Sequence, residues 1–188
     1  MGKFFSFLLM GGGVILIGFS AWQIWQSNML QEQALVEARV GLETVEEEFD
    51  PKDFTAEVGD TIGILQIPAL DRELPIVYGV DEDELKRGVG HYPGTAFPGQ
   101  LDQVVLSGHR DTVFTKLGEL EIGDSFIVEM PYGDYEYIIQ DTEIVDADDR
   151  TVIRSTSPDE VLTVITCYPF NFVGNAPERY IIYATPKE

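Results

Sequence analysis

From residue 59 onward, the chain is a series of short runs rich in valine, isoleucine, tyrosine and threonine, separated by glycine, proline and aspartate. β-Branched and aromatic residues favour strands, whereas the residues between these runs favour turns. Short helices are predicted at Asp81–Arg87 and Thr112–Leu117. Many short strands at this spacing indicate a closed or nearly closed β-barrel. The predicted strands are Thr61–Ile67, Leu74–Tyr78, Gln103–Ser107, Ser125–Glu129, Tyr135–Val145, Val161–Thr166 and Tyr180–Thr185.

A different kind of segment precedes these strands, because no residue from Phe4 to Trp25 carries a charge. As a helix it would span roughly 33 Å, which is enough to cross the hydrocarbon core of a bilayer. The run is too long for a cleaved signal peptide, so an uncleaved anchor is the preferred interpretation. Lys3 precedes it, and acidic residues follow it before the next basic residue, Arg39. The positive-inside bias therefore predicts a cytoplasmic tip at residues 1–3, a transmembrane signal anchor at residues 4–25 and an extracellular remainder.

Residues 26–58 would connect this anchor to the strands, and they are strongly acidic. The part from Met29 to Phe49 contains no proline and predicts a helix, which Asp50-Pro51 would end. The preferred interpretation is nevertheless a solvated, partly helical stalk that like charges keep extended, so that the folded domain stays away from the membrane. Apolar residues recur along one side of the predicted helix at Leu30, Ala34, Ala38 and Leu42.

The whole chain is a polyanion, with 33 acidic and 12 basic residues and a formal net charge of −21. Nucleic acids and anionic lipid surfaces repel such a chain, so neither is predicted to bind the folded domain. One acidic stretch offers oxygen ligands of the kind that Ca²⁺ prefers, but its spacing matches no defined calcium loop. A solvated acidic face is the preferred interpretation, and no metal or organic cofactor is predicted. The residues of this stretch are Asp141, Glu143, Asp146, Asp148 and Asp149.

The single cysteine, Cys167, stands at the end of a predicted apolar strand, where Pro169 stops further pairing. A lone cysteine is a partner for another chain, an inert buried thiol or a reactive thiol. His109 stands in a comparable place, beside Gly108 at the end of another apolar strand. An imidazole can hold a thiol as the nucleophilic thiolate, so the pair is a candidate nucleophile and base. The only other histidine is His91.

A positive side chain near the cysteine would stabilise a developing oxyanion or orient a substrate carbonyl. Arg179 is a candidate because it opens the last predicted strand, but Arg110 and Arg154 compete for the same role. No glycine-rich phosphate loop and no dinucleotide-binding fingerprint is present. The residues alone therefore indicate a Cys–His site whose arginine is undecided.

Three stretches resemble the sortase family: GVGHYPGTAFPGQ at 88–100, SGHRDTVF at 107–114 and LTVITCYPFNFVGNAPERYIIYA at 162–184. The likeness runs through the whole predicted barrel, and it is greatest to the class D group of Gram-positive bacteria. It implies a mainly β fold, a closed eight-stranded β-barrel with short helices over residues 59–188, preceded by the transmembrane helix. It also implies that Cys167 is the nucleophile, His109 the acid and base, and Arg179 the cation. His91 matches no catalytic position of the family, so a structural role is expected for it.

The resemblance implies a cysteine transpeptidase that needs no cofactor. Such an enzyme cleaves a Leu-Pro-x-Thr-type sorting motif of a surface protein after its threonine, through a thioester. An amine of a peptidoglycan precursor then takes up the acyl group, so that the surface protein is joined to the cell wall. The expected location is the cell membrane, with the catalytic domain outside. Two alternatives are a Cys–His cell-wall hydrolase and an anchored β-barrel adhesin whose thiol is inert.

Overall fold

The computed structural model describes residues 2–44, 50–172 and 174–187, without the side chains of residues 2–6, 8 and 44. One long helix precedes eight strands and a second, short helix. All seven predicted strands are present, whereas the three-residue strand β3 was not predicted because it is too short to show a period. The elements are α1 (Gly2–Thr44), β1 (Thr61–Ile67), β2 (Arg72–Tyr78), α2 (Glu82–Arg87), β3 (Val89–His91), β4 (Gln103–Gly108), β5 (Ser125–Met130), β6 (Gly133–Asp146), β7 (Val161–Tyr168) and β8 (Glu178–Pro186), with 3₁₀ turns at Pro51–Asp53, Pro68–Leu70 and Leu117–Glu119.

The eight strands close into a barrel in the order β1-β2-β3-β4-β7-β8-β6-β5, and β5 pairs with β1 to complete the ring. The pairs β2–β3 and β4–β7 are parallel, and the other pairs are antiparallel. The predicted mainly β, closed eight-stranded barrel is therefore confirmed. The central trio β4-β7-β8 consists of the three strands that carry or directly precede the predicted site residues.

Alternation along each strand separates the barrel interior from its outer face. In β5, for example, Phe126, Val128 and Met130 are buried while the residues between them are less so. Burying each large apolar side chain contributes roughly 1.5–3 kcal/mol, and these residues form one continuous core. The largest fully buried side chains include Leu65, Ile76, Leu106, Phe126, Tyr137, Leu162 and Ile182.

The predicted helix Thr112–Leu117 is wrong. This segment is a series of turns that ends in the 3₁₀ turn Leu117–Glu119. The carbonyl oxygen of His109 accepts a hydrogen bond from the backbone N–H of Phe114 at 3.0 Å. Val113 and Phe114 are both buried in this turn segment and pack against the Gly108 backbone.

The helix predicted in the acidic stalk exists as the second half of α1, but it does not behave as a solvated spacer. Ala34 is 1% exposed and Ala38 is 2% exposed, because this side of α1 packs on the barrel. The Glu37 carboxylate accepts from Arg87 at 2.8 Å and from Thr61 at 3.0 Å. Alanine side chains are small enough to let the α1 backbone approach the barrel closely. The helical part of the segment is therefore docked on the barrel, and its interpretation as a solvated spacer is corrected. Residues 45–49, which include the predicted end of this helix, lie outside the described residues.

Within the part of the chain that the structure describes, no helix meets the length and hydropathy needed to cross a bilayer. The predicted anchor Phe4–Trp25 includes residues 4–6 and 8, whose side chains lie outside that description.

Candidate active site

The candidate site lies on the outer face of the barrel, at one end of β4, β7 and β8. In β7, Leu162 and Val164 point into the core, so Cys167 belongs to the opposite set of residues and points outward. Its side chain is partly exposed. A thiol in this place is supported by a rigid strand and remains open to a substrate.

Arg179 is the direct register partner of Cys167 across the antiparallel pair β7–β8. Directly opposed residues in such a pair have Cβ atoms roughly 4.5–5.5 Å apart and share one face. The guanidinium Nη1 of Arg179 donates to the carbonyl oxygens of Ala176 at 3.2 Å and Glu178 at 2.9 Å. These bonds fix Nη1 of the Arg179 guanidinium, so the positive charge stays beside the Cys167 thiol.

His109 reaches the same face from the other side of Cys167. Strand β4 runs parallel to β7, and its last residue, Gly108, is in register with Thr166. His109 directly follows Gly108 and Cys167 directly follows Thr166, and neighbouring strands lie roughly 4.8 Å apart. The strand order puts β7, which carries Cys167, between β4, which leads into His109, and β8, which carries Arg179. The three predicted site residues therefore stand at the same end of three adjacent strands.

Gly108 is required by the packing beneath His109. A Cβ at this position would lie 2.5 Å from Cε2 of Phe114 and 2.6 Å from Cγ2 of Val113. The buried chain after His109 therefore folds back directly onto the Gly108 backbone. This contact and the hydrogen bond from Phe114 to the His109 carbonyl fix the backbone from which the imidazole projects.

Thr166 links the two strands that carry the histidine and the cysteine. Its hydroxyl donates to the carbonyl oxygen of Gly108 at 2.8 Å, and its side chain is 2% exposed. A buried hydrogen bond of this kind contributes about 1 kcal/mol and costs more when one partner is left unpaired. The sequence identified Thr166 only as the end of a predicted strand and as part of a family motif, since spacing cannot show which carbonyl a hydroxyl will reach.

The structure separates the three arginines that the sequence left as competitors. Arg154 lies near the opposite end of the strands, where its backbone N–H donates to Gln103 at the start of β4. Gln103 pairs with Val161, six residues before Cys167, so this end is roughly 20 Å away. Arg110 is close to the site but donates to backbone carbonyls of the chain after β7. Arg179 alone among the three is paired with the cysteine.

A groove of about 320 Å³ leads along the outer face to Arg179. Its floor consists of outward-pointing residues of the three central strands, Val105, Ser107, Ile165 and Ile181. One wall is the β6–β7 loop, which includes the exposed Arg150. Arg150 was not among the predicted site residues, because it follows a run of acidic residues that is typical of a solvated face. A mainly apolar floor of this kind can bury apolar side chains of a ligand.

Charge near His109 includes a carboxylate from α2. The pKa of the Glu82 carboxyl is lowered, first by its hydrogen bond to Lys86 and the charge of Lys86, and further by the charge of His109. Glu82 therefore lies within electrostatic reach of the imidazole. The sequence predicted α2 but gave no sign of this proximity.

His91 lies in the barrel wall and is 1% exposed. Its ring stacks on Phe97 at 4.6 Å and on Tyr78 at 5.6 Å, and Nε2 lies 2.9 Å from the carbonyl oxygen of Ala96. Burial lowers the pKa of His91 to about 4, and the hydrogen bond to Ala96 opposes this only in part. A neutral, stacked ring of this kind supports the barrel, as its expected structural role requires.

The described residues contain no group of three or more histidine, cysteine, aspartate or glutamate side chains that could hold a metal ion. Some carboxylate oxygens of the acidic stretch around β6 accept hydrogen bonds from neighbouring residues. Glu143 accepts from the Tyr183 hydroxyl at 3.2 Å, and Asp149 accepts from the Thr151 backbone and hydroxyl.

Known proteins match both the sequence and the fold. Residues 65–187 match the sortase domain family model. The chain is 42% identical to Sortase D of Bacillus subtilis (strain 168), over 97% of its own length and 98% of that protein. Its fold resembles that of a Sortase D5 transpeptidase from Clostridium perfringens, with a TM-score of 0.74 at 23% identity, covering 85% of this chain and 99% of that one. It also resembles a sortase C from Clostridium perfringens, solved with the C-terminal cell wall sorting motif, with a TM-score of 0.65 at 27% identity over 87% and 90% of the two chains.

The family model covers most of the chain, and the similarity to Sortase D extends over nearly its whole length. The barrel and the strand-end cysteine agree with this assignment. The chain therefore belongs to the sortase family and is a sortase transpeptidase.

Proposed function

We propose that this sortase cleaves a Leu-Pro-x-Thr-type motif after its threonine and joins the released surface protein to an amine of a peptidoglycan precursor. The observation that carries the proposal is the register of three adjacent strands. Cys167 is the register partner of Arg179, and the residues directly before His109 and Cys167 are register partners of each other, which supports a common site at the end of the groove that Arg179 lines. A nucleophile between a proton carrier and a cation is the arrangement that acyl transfer requires.

In this mechanism, the Cys167 thiolate attacks the carbonyl carbon of the motif threonine. The negative charge that develops on the carbonyl oxygen is stabilised by Arg179, whose guanidinium stays charged at all working pH values. When the C–N bond breaks, protonated His109 gives its proton to the leaving amine. A thioester remains on Cys167. The incoming amine then attacks this thioester, His109 accepts a proton from it, and the thiolate is released as the new amide forms.

The groove supports a peptide substrate on the acyl side of the scissile bond. Its floor is apolar and ends at Arg179, so leucine and proline side chains can be buried while the threonine carbonyl reaches the cation. The similar sortase C from Clostridium perfringens was solved with the C-terminal cell wall sorting motif. We infer the same class of substrate for this chain.

The proposed location is the cell membrane, with a single pass, a cytoplasmic N-terminus and an extracellular barrel. The uncharged run Phe4–Trp25 and the placement of Lys3 before it support this orientation. The first half of α1 also carries exposed large apolar side chains, among them Phe7, Val14, Ile15, Ile17 and Trp22. Lipid would cover these side chains.

The experiment compares transfer with hydrolysis. The full-length chain in detergent is incubated with a library of Leu-Pro-x-Thr peptides that vary at x and after the threonine, with and without an amine acceptor. The proposal predicts cleavage after threonine and, at saturating amine, more amide than free acid. A cell-wall hydrolase would give free acid whatever the amine concentration. An adhesin with an inert thiol would give neither product.

A further inference from the structure

Arg110 makes a contact that the mechanism above does not use. Its Nη1 donates to the carbonyl oxygen of Pro169 at 3.0 Å, and its Nη2 donates to those of Phe172 at 2.6 Å and Gly174 at 3.0 Å. All three carbonyls belong to the β7–β8 loop, the segment 169–177 between Tyr168 and Glu178. The residue directly after His109 is therefore tied to the loop that connects Cys167 to Arg179.

The same loop has another side-chain anchor near its beginning. The Phe170 ring packs on Gly118, where a Cβ would lie 2.4 Å from Cε2 of the ring, and it meets Tyr180 edge to face at 5.4 Å. Residues 171, 172, 174 and 175 of the loop are exposed, and Phe172 is 44% exposed. Within the described residues, Arg110 is the side chain that donates hydrogen bonds to the backbone of this exposed part, whereas the carbonyl of the buried Ala176, farther along the loop, accepts from Arg179.

The position of the β7–β8 loop relative to the groove indicates which part of the substrate would lie beside the loop. The groove extends from Arg179 back along the strands, over Ser107, Ile165 and Ile181. The β7–β8 loop lies beyond Cys167 in the opposite direction along β7. A peptide whose acyl part fills the groove therefore has its leaving group, and later its incoming amine, on the loop side.

We infer that Arg110 is a positioning residue that holds the β7–β8 loop as the amine-side wall of the site, and thereby sets the partition between transfer and hydrolysis. This inference rests on the proposed function. A fixed wall guides the amine to the thioester and limits the access of water, whereas a loose loop does neither. The acyl side should remain largely intact, because the strands β4, β7 and β8 form the groove floor, and Arg179 keeps its bond to the Glu178 carbonyl on β8 even if its bond to the loop carbonyl of Ala176 is weakened.

The choice of arginine fits this role. Two nitrogen atoms of one planar fork reach three carbonyl oxygens that face in different directions along a loop. A lysine carries its donors on a single nitrogen and can keep only part of this set. The bonds to Phe172 and Gly174 are exposed, so water can replace them and the barrel should keep most of its stability.

The test uses the full-length chain in detergent with Arg110→Ala and Arg110→Lys, a Leu-Pro-x-Thr peptide and an amine acceptor. The charge control is Lys116→Ala, which removes one exposed positive charge nearby. In Arg110→Ala, the rate of the first leaving-group release should stay within about threefold, while the KM for the amine rises at least about tenfold and hydrolysis increases. Arg110→Lys should lie between the wild type and Arg110→Ala, and the control should match the wild type.

Equal losses of acylation and of amine use in Arg110→Ala would overturn the inference, because they would make Arg110 part of the acylation machinery. An unchanged KM and an unchanged partition would also overturn it. Hydrogen exchange supplies a readout that needs no substrate: amides of residues 170–172 and 174–176 should exchange at least about tenfold faster in Arg110→Ala, while those of β7 and β8 stay protected. If the wild type processes no sorting peptide, the proposed function fails, and unchanged loop exchange would separately reject the tether.

Discussion

At the residue scale, a substitution at Arg179 can separate the contribution of the positive charge to turnover from the contribution of the planar guanidinium geometry. Arg179→Lys keeps the positive charge but loses the planar fork that can hold a carbonyl oxygen while it remains tied to the Ala176 and Glu178 carbonyls. We expect turnover to fall by about two to three orders of magnitude, as when an oxyanion donor is removed. The measurement is steady-state transfer with the sorting peptide.

The matched control is Arg154→Lys, at the far end of the strands, for which we expect turnover within about twofold of the wild type. Near-normal turnover in Arg179→Lys would contradict the assignment of this residue as the site cation.

His91 gives a second residue-scale prediction, which concerns stability rather than catalysis. Its pKa is about 4 in the folded protein and about 6.5 in the unfolded chain, because burial disfavours the charged ring. Protons therefore bind preferentially to the unfolded chain between these values. The stability from the neutral ring is complete above pH 6.5 and is lost as the pH falls towards 4.

The expected contribution is about 3 kcal/mol of unfolding free energy lost between pH 7 and pH 4. Urea unfolding at the two pH values measures it, with His91→Phe as the comparison because an aromatic ring keeps the stack between Tyr78 and Phe97. The wild type should lose about 3 kcal/mol more than the variant over this range. An identical loss in both proteins would show that His91 does not titrate as its burial requires.

At the scale of the element, the bond between Thr166 on β7 and Gly108 on β4 joins the two strands directly behind the site. Thr166→Val keeps the shape but removes the donor to the buried Gly108 carbonyl. We expect a loss of about 1 kcal/mol in unfolding free energy and about tenfold in turnover, because His109 and Cys167 shift relative to each other.

Thr163→Val serves as the matched control for this change. Thr163 is on the same strand, is fully buried and accepts from Gln103 at 2.8 Å, but it lies four residues from Cys167. It should lose similar stability and keep its turnover. Equal losses of turnover in the two variants would indicate that general loosening of β7, rather than the local register, limits the enzyme.

The strands were predictable because each of the seven is long enough for β-branched residues and turn signals to define it. The site residues were predictable as candidates because Cys167 is the single cysteine and each candidate follows or opens a strand. The sequence could not choose between Arg110, Arg154 and Arg179, because that choice depends on the parallel pairing of β4 with β7 and the antiparallel pairing of β7 with β8. Such pairings join residues that are distant along the chain.

At the scale of the whole molecule, α1 is not separate from the barrel. Its second half contacts β1, β2 and α2 through Ala34 and Ala38, the ion pair between Glu37 and Arg87, and the ion pair between Arg39 and Glu73. The sequence showed the apolar stripe but not its partner, because alanines on an acidic helix give a weak hydrophobic signal. The helix that would carry the anchor thus reaches the catalytic domain directly.

This contact predicts that Ala34→Asp destabilises the barrel, because it places a charge against the apolar surface beneath α1. We expect a loss of about 1–3 kcal/mol in the unfolding free energy of the full-length chain, measured by urea denaturation in detergent. Val36→Asp introduces the same charge two residues away at a position that is 62% exposed, and it should have little effect. Equal effects of the two substitutions would mean that α1 does not dock on the barrel in solution.

The most direct test of the central claim is the intact mass of the enzyme during turnover. The full-length chain is mixed with a Leu-Pro-x-Thr peptide without an amine, quenched in acid and analysed by mass spectrometry, with peptide mapping of the adduct. We predict an added mass equal to that of the peptide acid ending at threonine less one water, attached to Cys167 as a thioester, released by hydroxylamine and absent from Cys167→Ala. Continued cleavage of the peptide by Cys167→Ala, or an adduct that maps to another residue, would contradict Cys167 as the nucleophile.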